Sequence, residues 1–237
     1  MKTVGIIGGS TDLATAEYYR LINATVREQL GGFHTGEIII NSMDLAKSVH
    51  YVHNDLWEEG GAYLAGKAQS LERGGADFII VVSNTWHRAA DIFMKGLKIP
   101  LLHIADPTAE AIKAQGLKKV ILLGTKATMS TPYLADEFKA RGVEVVVPTA
   151  EEQQFIDDVI FKELSFWKFK EESKNKYLDI IDRLVKEEGA QGAILGCTEI
   201  PLLVKQEERP AVPFFDTLTL HAKAAALLAV ADDVRKQ

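Results

Sequence analysis

The one cysteine of the chain, Cys197, follows an apolar run and a glycine, and Thr198 and Glu199 come directly after it. A thiol at a strand-to-helix junction meets unpaired backbone N–H groups and the positive end of a helix dipole. Both favour thiolate and are expected to lower its pKa from about 8.5. Such a thiolate serves as base or nucleophile. A second segment of like pattern, Ser83-Asn84-Thr85-Trp86-His87, follows another apolar run. Asn84 and Thr85 offer uncharged donors suited to a carboxylate, and the same residues also suit helix capping. Thr198 and Glu199 are the corresponding candidates beside Cys197. His87 is expected to pack or orient a group from behind the site.

Two further loops carry small polar residues. Gly8-Gly9-Ser10-Thr11 is neither G-x-G-x-x-G nor a loop followed by a Walker lysine, so a dinucleotide site is not expected. Its glycines are expected to let backbone N–H groups approach a small anion, with Ser10 and Thr11 as substrate-holding candidates. Thr125-Lys126-Ala127-Thr128 is expected to do the same, with Thr125 and Lys126 as candidates and Lys126 as a charge partner. His50 and His53 lie three apart near Asp44 and Asp55, without H-x-x-x-H or a cysteine pair, and no metal is expected.

The elements that position these residues are legible as short Val- and Ile-rich runs: Val4–Ile7, Ile38–Ile40, Phe78–Val82, Leu101–Ile104, Val120–Leu123, Val143–Val147, Ala193–Leu195 and Val212–Phe215. Continuous apolar character predicts parallel strands buried on both faces. Between them, Trp57, Leu64 and Leu71 repeat on one helical face, as do Ile180, Ile181 and Leu184, and Thr217–Ala231 predicts a closing helix. Strand and helix in alternation predict an α/β fold with ligands at the carboxyl ends of the strands.

A weak internal repeat supports two similar lobes. Gly8 and Ser83 are 75 positions apart, and Gly124 and Cys197 are 73 apart. The lobes are expected at residues 1–103 plus 210–237 and at 104–209, each a mostly parallel sheet flanked by helices. Duplication would bring the Ser83 and Cys197 loops to one cleft.

Composition narrows the function classes. A net charge of −6 argues against nucleic acid as a partner, and the lysines at 162, 168, 170, 174 and 176 are interleaved with Glu163, Glu171 and Glu172 as on a solvated face. One cysteine allows no intrachain disulfide and fits a reducing, cytoplasmic setting. The first residues lack a signal-peptide run, and no apolar stretch reaches the roughly 20 residues of a membrane helix, so no membrane partner is expected.

Val4-Gly5-Ile6-Ile7-Gly8-Gly9, Ser83-Asn84-Thr85-Trp86-His87, Leu122-Leu123-Gly124-Thr125-Lys126-Ala127-Thr128-Met129 and Gly196-Cys197-Thr198-Glu199-Ile200-Pro201-Leu202 together resemble the aspartate/glutamate racemase family. The resemblance runs from Lys2 to about His221. It implies two α/β lobes, no cofactor, a homodimer, and an amino acid or related carboxylic acid as substrate. It also implies proton transfer at the α-carbon by one cysteine from each lobe. Cys197 takes the second cysteine's place, on the L face, and Ser83 stands where many members carry the first. Ser48 and Ser165 stand where aspartate-specific relatives place an Arg and a Lys. A single-cysteine decarboxylase, another isomerase on this fold, or a non-catalytic small-acid binding protein are the alternatives.

Overall fold

The apolar strands Val4–Gly8, Phe78–Val81 and Ala193–Leu195 are buried along their whole length, whereas the edge strands Ile38–Ser42 and Glu144–Val146 carry Asn41, Ser42 and Glu144 and stay partly exposed. The computed structural model of the protein describes residues 1–234. In chain order the elements are β1 (Val4–Gly8), α1 (Asp12–Leu30), β2 (Ile38–Ser42), α2 (Leu45–His53), α3 (Trp57–Arg73) and β3 (Phe78–Val81). A 3₁₀ turn (Thr85–Ala89) and α4 (Ala90–Phe93) follow. Next come α5 (Ala105–Ala114), β4 (Lys119–Leu123), α6 (Lys126–Met129), α7 (Pro132–Ala140), β5 (Glu144–Val146) and α8 (Ala150–Lys162). A 3₁₀ turn (Leu164–Phe166), α9 (Glu171–Glu188), β6 (Ala193–Leu195), α10 (Ile200–Leu203), a 3₁₀ turn (Gln206–Glu208), β7 (Phe214–Asp216) and α11 (Thr217–Val234) complete the chain.

The chain forms two units. The first holds Met1–Ile104 and the residues from Leu218 onward, and the second holds Ala105–Thr217. The return to the first unit thus comes at 218 rather than 210, because β7 pairs with β6 and so belongs to the second sheet. The first sheet has the order β2-β1-β3 and the second β5-β4-β6-β7, and every pair is parallel. The central pairs correspond: Ile7 lies beside Val81 in one sheet, and Leu123 beside Leu195 in the other.

Strand alternation divides the first unit's core into two layers. Ile6 and Ile80 face a cluster with Tyr18 and Ile22 of α1 and the alanines 222, 225, 226 and 229 of α11. Ile7, Ile79 and Val81 face Leu64, Ala68 and Leu71 of α3 together with Trp86 and Phe93. In the second unit, Ile121, Leu123 and Leu195 pack with Ile156 and Ile160 of α8 and Tyr177, Ile181 and Leu184 of α9. Each such fully buried aliphatic side chain contributes about 1.5–3 kcal/mol. The lysine run after α8 is largely neutralised, with Lys162 on Asp158, Lys170 on Glu163, and Lys174 on Glu171 and Glu208.

The strand expected at Leu101–Ile104 is reduced to one bridge, between Ile79 and Leu101. Two buried histidines take over its backbone groups. The Ile104 N–H donates to His87 Nε2 at 3.1 Å, and His221 Nε2 lies 2.9 Å from the Leu102 carbonyl. The chain then enters α5.

Glycine is required where β1 ends. Gly9 has φ +84°, and a Cβ there would stand 2.1 Å from the Met43 carbonyl oxygen. Gly9→Ala is expected to cost about 2–3 kcal/mol, and a thermal melt should show a midpoint lower by about 6 °C.

Candidate active site

Glycine also sets the geometry at Cys197. The Gly196 N–H donates to the Leu123 carbonyl at 2.6 Å, and a Cβ on Gly196 would stand 2.8 Å from that oxygen. A Cβ on Gly124 would in turn stand 3.1 Å from the Gly196 oxygen. The strands β4 and β6 therefore end in tight contact, and Thr125 and Cys197 emerge side by side from their carboxyl ends. In the first unit β1 and β3 present Gly9-Ser10-Thr11 and Ser83-Asn84-Thr85 in the same way.

Cys197 is partly exposed, and Glu199 beside it is only 5% exposed. The Cys197 thiol donates to Glu199 Oε2 at 3.1 Å, and the Thr198 hydroxyl donates to the same oxygen. Burial pushes the Cys197 thiol well above its ordinary value. The negative charge of Glu199 and the hydrogen bond to it push the same way, against the backbone N–H groups of Glu199 and Thr198. The sequence-based expectation of a lowered pKa is thereby reversed. The helix that was to supply the dipole, α10, begins three residues later and is four residues long. One oxygen of Glu199, a residue expected to touch substrate, accepts from both the thiol and Thr198.

Ser83 is partly exposed, and its hydroxyl accepts from the Trp86 N–H at 3.3 Å. His87 is fully buried and binds the Ser83 carbonyl, not its hydroxyl, through Nδ1 at 2.7 Å. Since Nε2 accepts from Ile104, Nδ1 carries the ring proton and donates it to that carbonyl. His87 thus fixes the backbone under Ser83. Asn84 is 5% exposed and Thr85 half-buried.

The two anion-loop expectations fare less well. The Gly9 N–H is taken by Thr15 Oγ1 at 2.8 Å, and the Lys126 N–H by Asp157 at 2.7 Å. Thr11 caps α1 and Thr125 caps α6. The Lys126 amine is exposed and reaches Gln154 rather than the end of β4. Both serines at the positions where the resemblance would place an Arg and a Lys are engaged within the chain. Ser48 accepts from the Trp86 indole N–H at 2.8 Å, and Ser165 donates to the Ile160 carbonyl at 2.8 Å.

One group escaped the sequence. The buried Tyr18, His87 and His221 and the half-buried His103 form a ring cluster in the first unit, with Tyr18 OH 2.9 Å from His221 Nδ1 and the His87 and His103 rings 4.5 Å apart. Their partners lie far away in sequence and are partly backbone, so spacing gives no signal. Among the described residues, no group of His, Cys, Asp or Glu is placed to hold a metal ion, and no helix is long and apolar enough to cross a membrane.

Two solved structures resemble nearly the whole chain, and a curated relative resembles a third of it. A solved structure of a candidate Asp/Glu racemase from Yersinia pestis is 39% identical with a TM-score of 0.90, covering 97% of this chain and 100% of that one. An aspartate racemase homologue from Pyrococcus horikoshii OT3 is 36% identical with a TM-score of 0.83, covering 97% and 99%. The broad specificity amino-acid racemase RacX of Bacillus subtilis (strain 168) is 34% identical over 79 residues, which span 33% of this chain and only 34% of that protein. The family model for Asp/Glu/Hydantoin racemase matches residues 4–225. With the paired glycine-ended strands and the Gly-Cys-Thr-Glu turn in place, the chain belongs to the Asp/Glu/Hydantoin racemase family.

Proposed function

We propose that the protein is a cofactor-independent amino-acid racemase in which Cys197 moves a proton at one face of the substrate α-carbon and Ser83 at the other. The observation that carries this is the state of Cys197. The only thiol of a chain in a racemase family stands at a strand end, partly exposed and hydrogen bonded to a buried carboxylate. Removing an α-proton leaves a carbanion, and donors aimed at the substrate carboxylate stabilise it. Side chains of Ser10, Thr11, Asn84, Thr85, Thr125 and Thr198 are the proposed donors. Lys126 is the weaker member of the proposed set, since its amine is turned to Gln154.

The two faces are unequal. A raised thiol is a ready acid for the carbanion and must ionise before it acts as base. Ser83 is a far weaker acid, and the neighbouring histidine is committed to backbone. Ser83 therefore limits turnover, with water as its proton carrier. Uncharged Ser48 and Ser165 favour substrates without an obligatory second carboxylate, in keeping with the broad specificity named for RacX. The resting thiol also favours a second reading, in which Cys197 only protonates, as in decarboxylation of a disubstituted malonate.

We further propose a cytoplasmic homodimer, the compartment resting on the lone cysteine. Sedimentation should then give twice the chain mass of 26.1 kDa, and a single-chain mass refutes the dimer.

Incubation of L- and D-amino acids in deuterated water, followed by proton NMR, should show label entering the α-position from both enantiomers, more slowly on the Ser83 side. Cys197→Ser should slow exchange at least ~100-fold, and Ser83→Cys should speed the slow side about tenfold or more. No label from any amino acid, with carbon dioxide released from a malonate, would establish the second reading instead.

Stability should fall in alkali. The thiol is held above its unfolded value, so its contribution is complete below about pH 8.5 and is lost as pH rises through the folded value. Denaturant titrations at rising pH should show this decline, and Cys197→Ser should flatten it.

A further inference from the structure

We infer that Glu199 holds the Cys197 proton in place in the resting protein, and that a cationic nitrogen carried by the substrate releases it. This rests on the proposed amino-acid proton transfer at Cys197 and adds to it a positioning residue, Glu199, whose charge the ammonium group of an amino acid offsets.

The thiol and the Thr198 hydroxyl both donate to Glu199 Oε2, with the sulfur at 3.1 Å. Glu199 is 5% exposed, so little water screens its charge from the sulfur. Two influences hold the proton on sulfur besides burial, and both come from this one carboxylate. The opposing backbone N–H groups belong to the turn itself and do not depend on a ligand. The carboxylate charge is thus the influence that a ligand can cancel. An ammonium group does so, a neutral hydantoin does not, and a malonate adds negative charge.

The step balances without another reagent. The S–H bond breaks and its proton goes to water, leaving a thiolate beside an ammonium–carboxylate pair. The thiolate forms a new S–H bond as the Cα–H bond breaks. The electron pair stays on the substrate, delocalised into its carboxylate, until the opposite face takes up a proton.

Because the chain has one cysteine, the ultraviolet absorbance of its thiolate is read as the difference between each protein and the same protein carrying Cys197→Ser, which removes the contribution of the six tyrosines. Titrating the ligand-free protein, Glu199→Gln should lower the midpoint by about one pH unit or more, a tenfold change in the thiolate ratio. Glu199→Asp keeps the charge and should stay nearer the wild type. L-alanine, L-methionine and L-glutamate are then compared with the 2-hydroxy acids of the same skeletons. At least one amino acid should lower the wild-type midpoint, its 2-hydroxy acid should not, and Glu199→Gln should abolish the difference. An unmoved midpoint in Glu199→Gln overturns the inference, as does an equal fall in Glu199→Asp, which would mark a disturbed turn rather than a lost charge. Equal shifts by amino and hydroxy acids, or none by either, overturn the substrate-release half. The ligand-free titration needs no turnover, so its outcome stands apart from that of the deuterium-exchange panel.

Discussion

Parallel strands that end in glycine govern both units. Where β4 and β6 run together, the Gly196 N–H meets the Leu123 carbonyl so closely that a methyl group on Gly196 would collide with it. The chain can turn only after that contact, and the next residue is the thiol. In the first unit Gly9 turns with a positive φ against Met43. A side chain at either position would push the following residues away from the strand ends, where α/β proteins bind their ligands. The buried aliphatic layers of each sheet hold the strands in register, and the glycines convert that register into the placement of Cys197 and of Ser10 and Thr11.

Charge then decides what the placed sulfur is. A thiol beside backbone N–H groups and a thiol beside a carboxylate are the same residue with opposite chemistry. Here both neighbours are present, and the carboxylate and burial together prevail. Nearby Tyr177 points the same way: burial raises its hydroxyl well above the usual value, and a Cys197 anion would raise it further. The surroundings of the sulfur therefore resist negative charge, so the free protein rests with its thiol protonated.

The fold was largely readable because parallel strands buried on both faces need unbroken Val and Ile, and α3 and α9 keep their apolar residues on one face. Leu101–Ile104 is also mostly apolar, though His103 interrupts it, yet makes one bridge, since His87 and His221 claim its backbone from 17 and 119 positions away. No local pattern encodes that. The positions of Cys197 and Ser83 at strand ends were legible from the apolar runs before them, and for Cys197 also from Gly196. The sign of the thiol shift was not, because it turns on a 3.1 Å contact and on the shortness of α10. The use of two N–H groups in the expected anion loops was not legible either: Thr15 takes that of Gly9 and Asp157 that of Lys126.

The closing helix has a consequence for how the protein is made. The second unit, Ala105–Thr217, is one continuous stretch of chain, whereas the first takes residues from both ends. Alanines 222, 225, 226 and 229 complete a core begun by Val4 and Ile6. On the ribosome the second unit emerges whole while the first still lacks its last wall. β1 and α1 leave the ribosome before the second unit, and until α11 arrives their apolar face lacks its cover and is open to stray pairing.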